Sequence, residues 1–149
     1  MEGLIAGIDF GSKTSGFTAV ALGYSTHIQM LQAQKNKDAD AFLKEVVRQH
    51  QPRCIGIDAP LSLPGALVGQ PNYSNFHMRA ADLEAGAMSP MLLGGLTARA
   101  MDFAHWCNAQ GIAVYEVYPK LVAEGLGLDK KRYKKDATYL PEALRMFGA

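Results

Sequence analysis

Only two of the 149 residues are cysteine, Cys54 and Cys107, and neither has a CxxC neighbour or a metal-ligand spacing. That scarcity argues against a disulfide framework or a thiolate zinc site and predicts two reduced core residues. The four histidines, His27, His50, His77 and His105, are scattered, again without metal-like spacing. Long apolar runs are missing: none approaches the roughly 18 residues needed to span a bilayer. The opening Met1-Glu2-Gly3 lacks the basic flank and apolar core of a signal peptide. The expected setting is cytoplasmic, with no membrane partner. Charge of one sign is also lacking, since 15 basic residues face 14 acidic ones for a net charge of +1. A near-neutral chain has no global field to attract a polyanion, so any nucleic-acid contact must be local.

What is present reads as an ordinary globular chain, 48% hydrophobic and 19% charged. Its length suits one domain over residues 1–149, with no repeat or linker to divide it. Residues 4–9, 17–22 and 26–31 are short runs of strand formers separated by Gly- and Ser-bearing turns, which predicts an antiparallel meander. The period then changes. Over residues 38–50, Phe42, Leu43, Val46 and Val47 share one helical stripe, with Asp38 or Asp40 as cap and Pro52 as stop. Residues 54–58 form a fourth strand, 97–110 a helix closed by Gly111, and 112–118 a fifth strand stopped by Pro119. The tail, residues 137–147, reads as a helix with Leu140, Leu144 and Phe147 inward. A helix between successive strands implies parallel crossovers, so the first, fourth and fifth strands should run parallel in one mixed α/β sheet.

Three of these strands end in or near an acid: Asp9, Asp58 and Glu116. Ligand sites of open α/β sheets lie at the carboxyl ends of strands. Neighbouring strands are only about 4.8 Å apart, so acids at matching ends can come within reach of one ion. The patterns Ile5-x-Gly7-x-Asp9 and Cys54-x-Gly56-x-Asp58 each set a glycine beneath the acid on its own face. Asp136 sits where the last helix should begin. Oxygen ligands without nearby His or Cys favour Mg²⁺ or Mn²⁺, ions suited to phosphodiester hydrolysis. The competing reading is that these acids merely cap turns.

The element order with these acids resembles the ribonuclease H-like fold, and more narrowly the DUF429 family of predicted nucleases. The matching segments are Gly7-Ile8-Asp9-Phe10-Gly11-Ser12-Lys13, Gly56-Ile57-Asp58-Ala59-Pro60-Leu61-Ser62-Leu63-Pro64, Arg79-Ala80-Ala81-Asp82 and Tyr115-Glu116-Val117-Tyr118-Pro119. The resemblance implies a five-stranded mixed sheet flanked by helices and metal-dependent hydrolysis of nucleic acid, DNA or RNA. It matches Asp9, Asp58 and Glu116 as metal ligands, with Asp136 corresponding to the acid such folds often place on their last helix. Lys120 departs from the family, which often carries an acid after the proline.

Several residues could meet substrate phosphate. Lys13 lies in Gly11-Ser12-Lys13-Thr14-Ser15-Gly16, which is either a phosphate cradle or a plain hairpin turn. Residues 59–77, rich in Pro and Gly, read as a lid or a packed crossover. Tyr73, Phe76, His77 and Arg79 follow as candidates for base stacking or phosphate binding. The one basic run, Lys130, Lys131, Arg132, Lys134 and Lys135, is a solvated face or a phosphate track. The expected function is a metal-dependent nuclease or phosphodiesterase. The alternatives are a non-catalytic nucleotide- or nucleic-acid-binding module and a plain interaction protein.

Overall fold

Alternation along Ile5–Asp9 (β1) buries Ala6 and Ile8 and exposes Ile5, Gly7 and Asp9, the period-two signature of a strand with one covered face. In Ala19–Gly23 (β2), Val20 and Leu22 turn inward in the same way. β1 pairs antiparallel with β2, and β2 with Ile28–Gln32 (β3). On its other side β1 pairs parallel with Cys54–Asp58 (β4), which pairs parallel with Ala113–Glu116 (β5). The sheet order is β3-β2-β1-β4-β5. This mixed five-stranded α/β sheet, antiparallel first and then parallel, flanked by helices, is the architecture expected of a ribonuclease H-like fold. The computed structural model describes residues 3–24 and 27–146, without the side chains of Lys130, Tyr133, Lys134, Leu140, Leu144 and Met146.

Helices make both parallel crossovers. In Ala39–His50 (α1), the Asp38 carboxylate accepts the N–H groups of Asp40 and Ala41 at 2.8 and 3.1 Å, satisfying donors that a helix start leaves unpaired. Leu43, Val46 and Val47 are its buried stripe, as the periodicity predicts. The second crossover carries three helices in succession: Ala80–Ala85 (α2), Pro90–Leu93 (α3) and Gly95–Asn108 (α4). α4 turns Thr97, Ala100, Phe103, Ala104 and Cys107 inward. The core between helices and sheet includes Leu22, Leu43, Ile55, Ile57 and Phe103. Each such side chain contributes about 1.5–3 kcal/mol by leaving water. Cys54 and Cys107 are free thiols, and burial pushes the Cys107 thiol up to about 11, which leaves it unreactive.

The sequence periodicity does not anticipate α2 and α3. Four to six residues are too few to show an amphipathic repeat, and their starts are local chemistry instead. The Ser89 hydroxyl accepts the Met91 N–H, and Pro90 occupies the first helical position, where a missing donor costs nothing. β3 spans Ile28–Gln32; Thr26, the expected start of the third strand, lies outside the described residues, as does Ser25.

By contacts the chain divides into two compact units, Met1–Val117 and Tyr118–Ala149. The first holds the sheet, α1, α2, α3 and α4. The second holds Pro119–Gly125 (α5), Lys130–Lys135 (α6), a 3-10 turn at Ala137–Tyr139 and Leu140–Met146 (α7). Its small core comprises Ala123, Leu128, Tyr139 and Ala143. The Arg132 guanidinium stacks over the Tyr139 ring at 4.3 Å. Phe147, expected to point inward, lies outside the described residues, as do the side chains of Leu140 and Leu144. No described helix is long and apolar enough to cross a membrane.

Candidate acidic site at the strand ends

Asp9 closes β1 and Asp58 closes β4, and the parallel register sets them directly opposite each other. Both are exposed. Two residues earlier Gly7 faces Gly56 in the same register, so both glycines lie on the acids' side of the pleat. A Cβ built on Gly7 would meet nothing within 4 Å, so the floor beside Asp9 is open space. These are two of the three carboxylates that the strand-end pattern predicted to converge.

Glu116 goes elsewhere. The β4–β5 register pairs it with Ile57, one residue short of Asp58, and the Val117 N–H donates to the Ile57 carbonyl at 2.9 Å. A one-residue offset reverses the face to which a strand side chain points. Glu116 therefore leans toward the side of Ile57, where it accepts the Leu61 N–H at 3.0 Å. Its two oxygens also take Nη1 and Nη2 of Arg79, at 2.7 and 2.6 Å. Among the described residues, no three His, Cys, Asp or Glu side chains are gathered to hold one metal ion. The expected triad of Asp9, Asp58 and Glu116 is in this conformation a pair plus an ion-paired acid.

Arg79 is not positioned as a free phosphate contact, because its donors are taken. Besides Glu116, Nε and Nη2 grip Asp82, with Nε at 2.9 Å, and Nη1 donates to the Ser62 hydroxyl at 2.9 Å. The Arg79 backbone N–H also donates to Asp82 at 2.9 Å, so Asp82 anchors the first turn of α2. The side chain of Asp82 is 2% exposed and that of Arg79 12%, so this ion pair is largely buried. The network ties the 59–79 loop to the end of β5. Hydrogen bonds to Asp82 and Glu116 raise the Arg79 guanidinium further above its ordinary value. Burial alone would raise the Asp82 carboxyl, but hydrogen bonds from the Arg79 side chain and backbone, with its charge, hold it below the usual range.

That depressed value has a consequence for acid stability. In the unfolded chain Asp82 titrates near about 3.9. The stability it contributes is whole above that pH and fades as pH falls through the lower native value. Urea melts of the wild type should therefore weaken more steeply below about pH 4 than those of Asp82→Asn. Parallel pH profiles for the two proteins would contradict the assignment.

The Gly11–Gly16 segment is a braced turn. Gly16 has φ +77, and a Cβ there would fall 2.7 Å from the Lys35 nitrogen, so the close approach needs glycine. Lys13 pairs with Asp38 at 3.2 Å and lies 3.9 Å from Asp40. Arg99 of α4 grips Asp40 through Nε and Nη2, donates to the Gly11 carbonyl at 3.2 Å and covers the Phe10 ring. The ammonium expected to meet phosphate thus already has carboxylate partners.

In the second unit, Asp136 ends α6 and accepts the Thr138 N–H at 2.9 Å and the Arg132 Nε at 3.1 Å. Its carboxyl is held low by the Thr138 and Arg132 side chains. Asp136 caps the 3-10 turn rather than opening a long final helix. Lys135 is exposed on α6; the Lys134 side chain lies outside the described residues. Sequence reasoning missed Asp82, Ser62, Asp40 and Arg99 as partners of the charged residues it singled out. The Arg79-x-x-Asp82 spacing was the available signal, since residues three apart meet at a helix start. Comparison with known proteins found no matching family model and no matching curated protein.

Proposed function

We propose that the chain is a divalent-metal-dependent phosphodiesterase of the nuclease type, with Asp9 and Asp58 as its metal-holding pair. The observation that supports this reading is their register: two exposed carboxylates face each other at the carboxyl ends of neighbouring parallel strands. The pair fits Mg²⁺ or Mn²⁺, because Mg²⁺ is usually held by one or two carboxylates while keeping waters and substrate phosphate oxygens. The open space over Gly7 leaves room for those further ligands. When bound, the ion supplies Lewis-acid stabilisation of phosphoryl oxygens. The protein's own part is to fix the two carboxylates on rigid strands and to balance the ion's charge. Glu116 joins this set only if Arg79 releases it, and Asp136 remains the partner of Thr138 and Arg132. The proposed substrate is nucleic acid, DNA or RNA.

Metal should stabilise the native state, since it binds the folded carboxylate pair and not the unfolded chain. At 100 times its dissociation constant that is worth about 2.7 kcal/mol. Thermal melts with Mg²⁺ and with Mn²⁺ test it, and a melting temperature unmoved by both would argue for acids that merely cap turns. A second reading, a nucleotide- or nucleic-acid-binding module without turnover, is favoured by the Arg79 pairing that occupies Glu116. Single-turnover cleavage assays separate the two: binding of an oligonucleotide without any cleavage supports the second.

A further inference from the structure

β3 is an edge strand of the sheet: among the described residues it is paired with β2 alone, and four of its five residues are exposed. Two bonds fix which backbone groups face outward. Tyr24 donates to the His27 carbonyl at 2.9 Å and Ala33 to the Thr18 carbonyl at 2.9 Å. Hydrogen-bonded pairs alternate along an antiparallel ladder. Gln29 and Leu31, lying between those two bonds, therefore turn their N–H and C=O toward β2. Ile28, Met30 and Gln32 turn theirs away from the sheet.

Natural edge strands are guarded by charges, proline, bulges or shortness. The run Ile28-Gln29-Met30-Leu31-Gln32 carries no charge and no proline, and its register with β2 is unbroken through five pairs. Ile28 and Met30 are 52% and 65% exposed. The opposite edge differs: β5 has four residues, ends in Glu116 and is soon followed by Pro119.

We propose that β3 docks a second copy of this chain, strand against antiparallel strand, across a two-fold axis at Met30. The outward groups at positions 28, 30 and 32 are symmetric about Met30. Met30 of each copy then exchanges both backbone bonds with the other, and Ile28 of each copy pairs with Gln32 of the other. The uncharged run sets no like charges opposite each other, and the net charge of +1 adds little long-range repulsion. A foreign peptide added to an edge is selected by pockets for alternate side chains. Here the residues in register with Met30 are Ala21 and Gly7, a flat floor. A self-complementary strand needs no such pocket. Stable interfaces bury about 1,200–2,000 Å², more than five edge residues supply, so the association is weak and concentration-dependent.

The test is sedimentation equilibrium of the full chain over about 10 μM to 1 mM, with amide exchange measured at both ends of that range. Dimers should form, and the amides of Ile28, Met30 and Gln32 should gain protection with concentration while those of Gln29 and Leu31 do not change. Met30→Pro removes one outward donor per copy and should weaken the dimer about tenfold. Met30→Lys sets two like charges opposite each other and should weaken it without touching the monomer's own ladder. A chain that stays monomeric throughout would overturn the proposal. So would a dimer indifferent to both substitutions.

Discussion

Asp58→Asn should abolish Mn²⁺-supported cleavage of a labelled oligonucleotide while leaving the fold and the binding of that oligonucleotide intact. The amide is nearly isosteric with the carboxylate, and position 58 is an exposed strand end, so the fold should persist. What the amide lacks is the anionic charge that a hard cation needs. Lewis-acid stabilisation by a bound ion is worth several kcal/mol, and each 1.36 kcal/mol is tenfold in rate, so cleavage should fall by about 10²-fold or more. Asp9→Asn should behave alike, and the double variant should be little worse than either, because the two residues act as one unit. Glu116→Gln should differ in kind, loosening Arg79 and costing stability before it costs metal. Cleavage kinetics beside urea melts distinguish these patterns. An Asp58→Asn protein with wild-type turnover would remove the strand-end pair from the chemistry.

Arg79→Ala should be the most destabilising of the charge substitutions considered. It leaves Asp82 buried and unpaired, and breaking a buried ion pair from one side costs about 3–5 kcal/mol. In a chain of this size that lowers the melting temperature by roughly 10 °C. Arg79→Lys should recover little, since an ammonium cannot serve Asp82, Glu116 and Ser62 together in the planar fork that Arg79 uses. The double variant Arg79→Met with Asp82→Leu should recover much of the loss, because it removes the buried charge along with its partner. Equilibrium urea melts of the four proteins give the comparison directly. If Arg79→Ala melts within error of the wild type, the network does not hold the 59–79 loop to β5.

The sheet was legible in the sequence because its signals are periodic. Alternation marks β1 and β4, both of which end on the acids that the pattern named, and the register sets those acids opposite each other. The stripe of Leu43, Val46 and Val47 likewise marked α1. Register at β5 was not legible. Whether Glu116 falls beside Asp58 or one residue short depends on how the crossover delivers the strand, and a single-residue slip changes the face. Nor could composition reveal that the cations predicted to wait for phosphate already have acids: Lys13 has Asp38, and Arg79 has Asp82 and Glu116. The Arg79–Glu116 pairing spans 37 residues of sequence, a distance over which no local pattern reports.

The most direct test of the Asp9–Asp58 pair is a crystal structure of the full chain grown with Mn²⁺ and read by its anomalous scattering. One strong peak is expected within coordination distance of a carboxylate oxygen from each of Asp9 and Asp58, absent from the Asp58→Asn protein. Well-ordered Asp9 and Asp58 side chains with no ion between them at millimolar Mn²⁺, or a peak that persists in Asp58→Asn, would contradict the Asp9–Asp58 metal site.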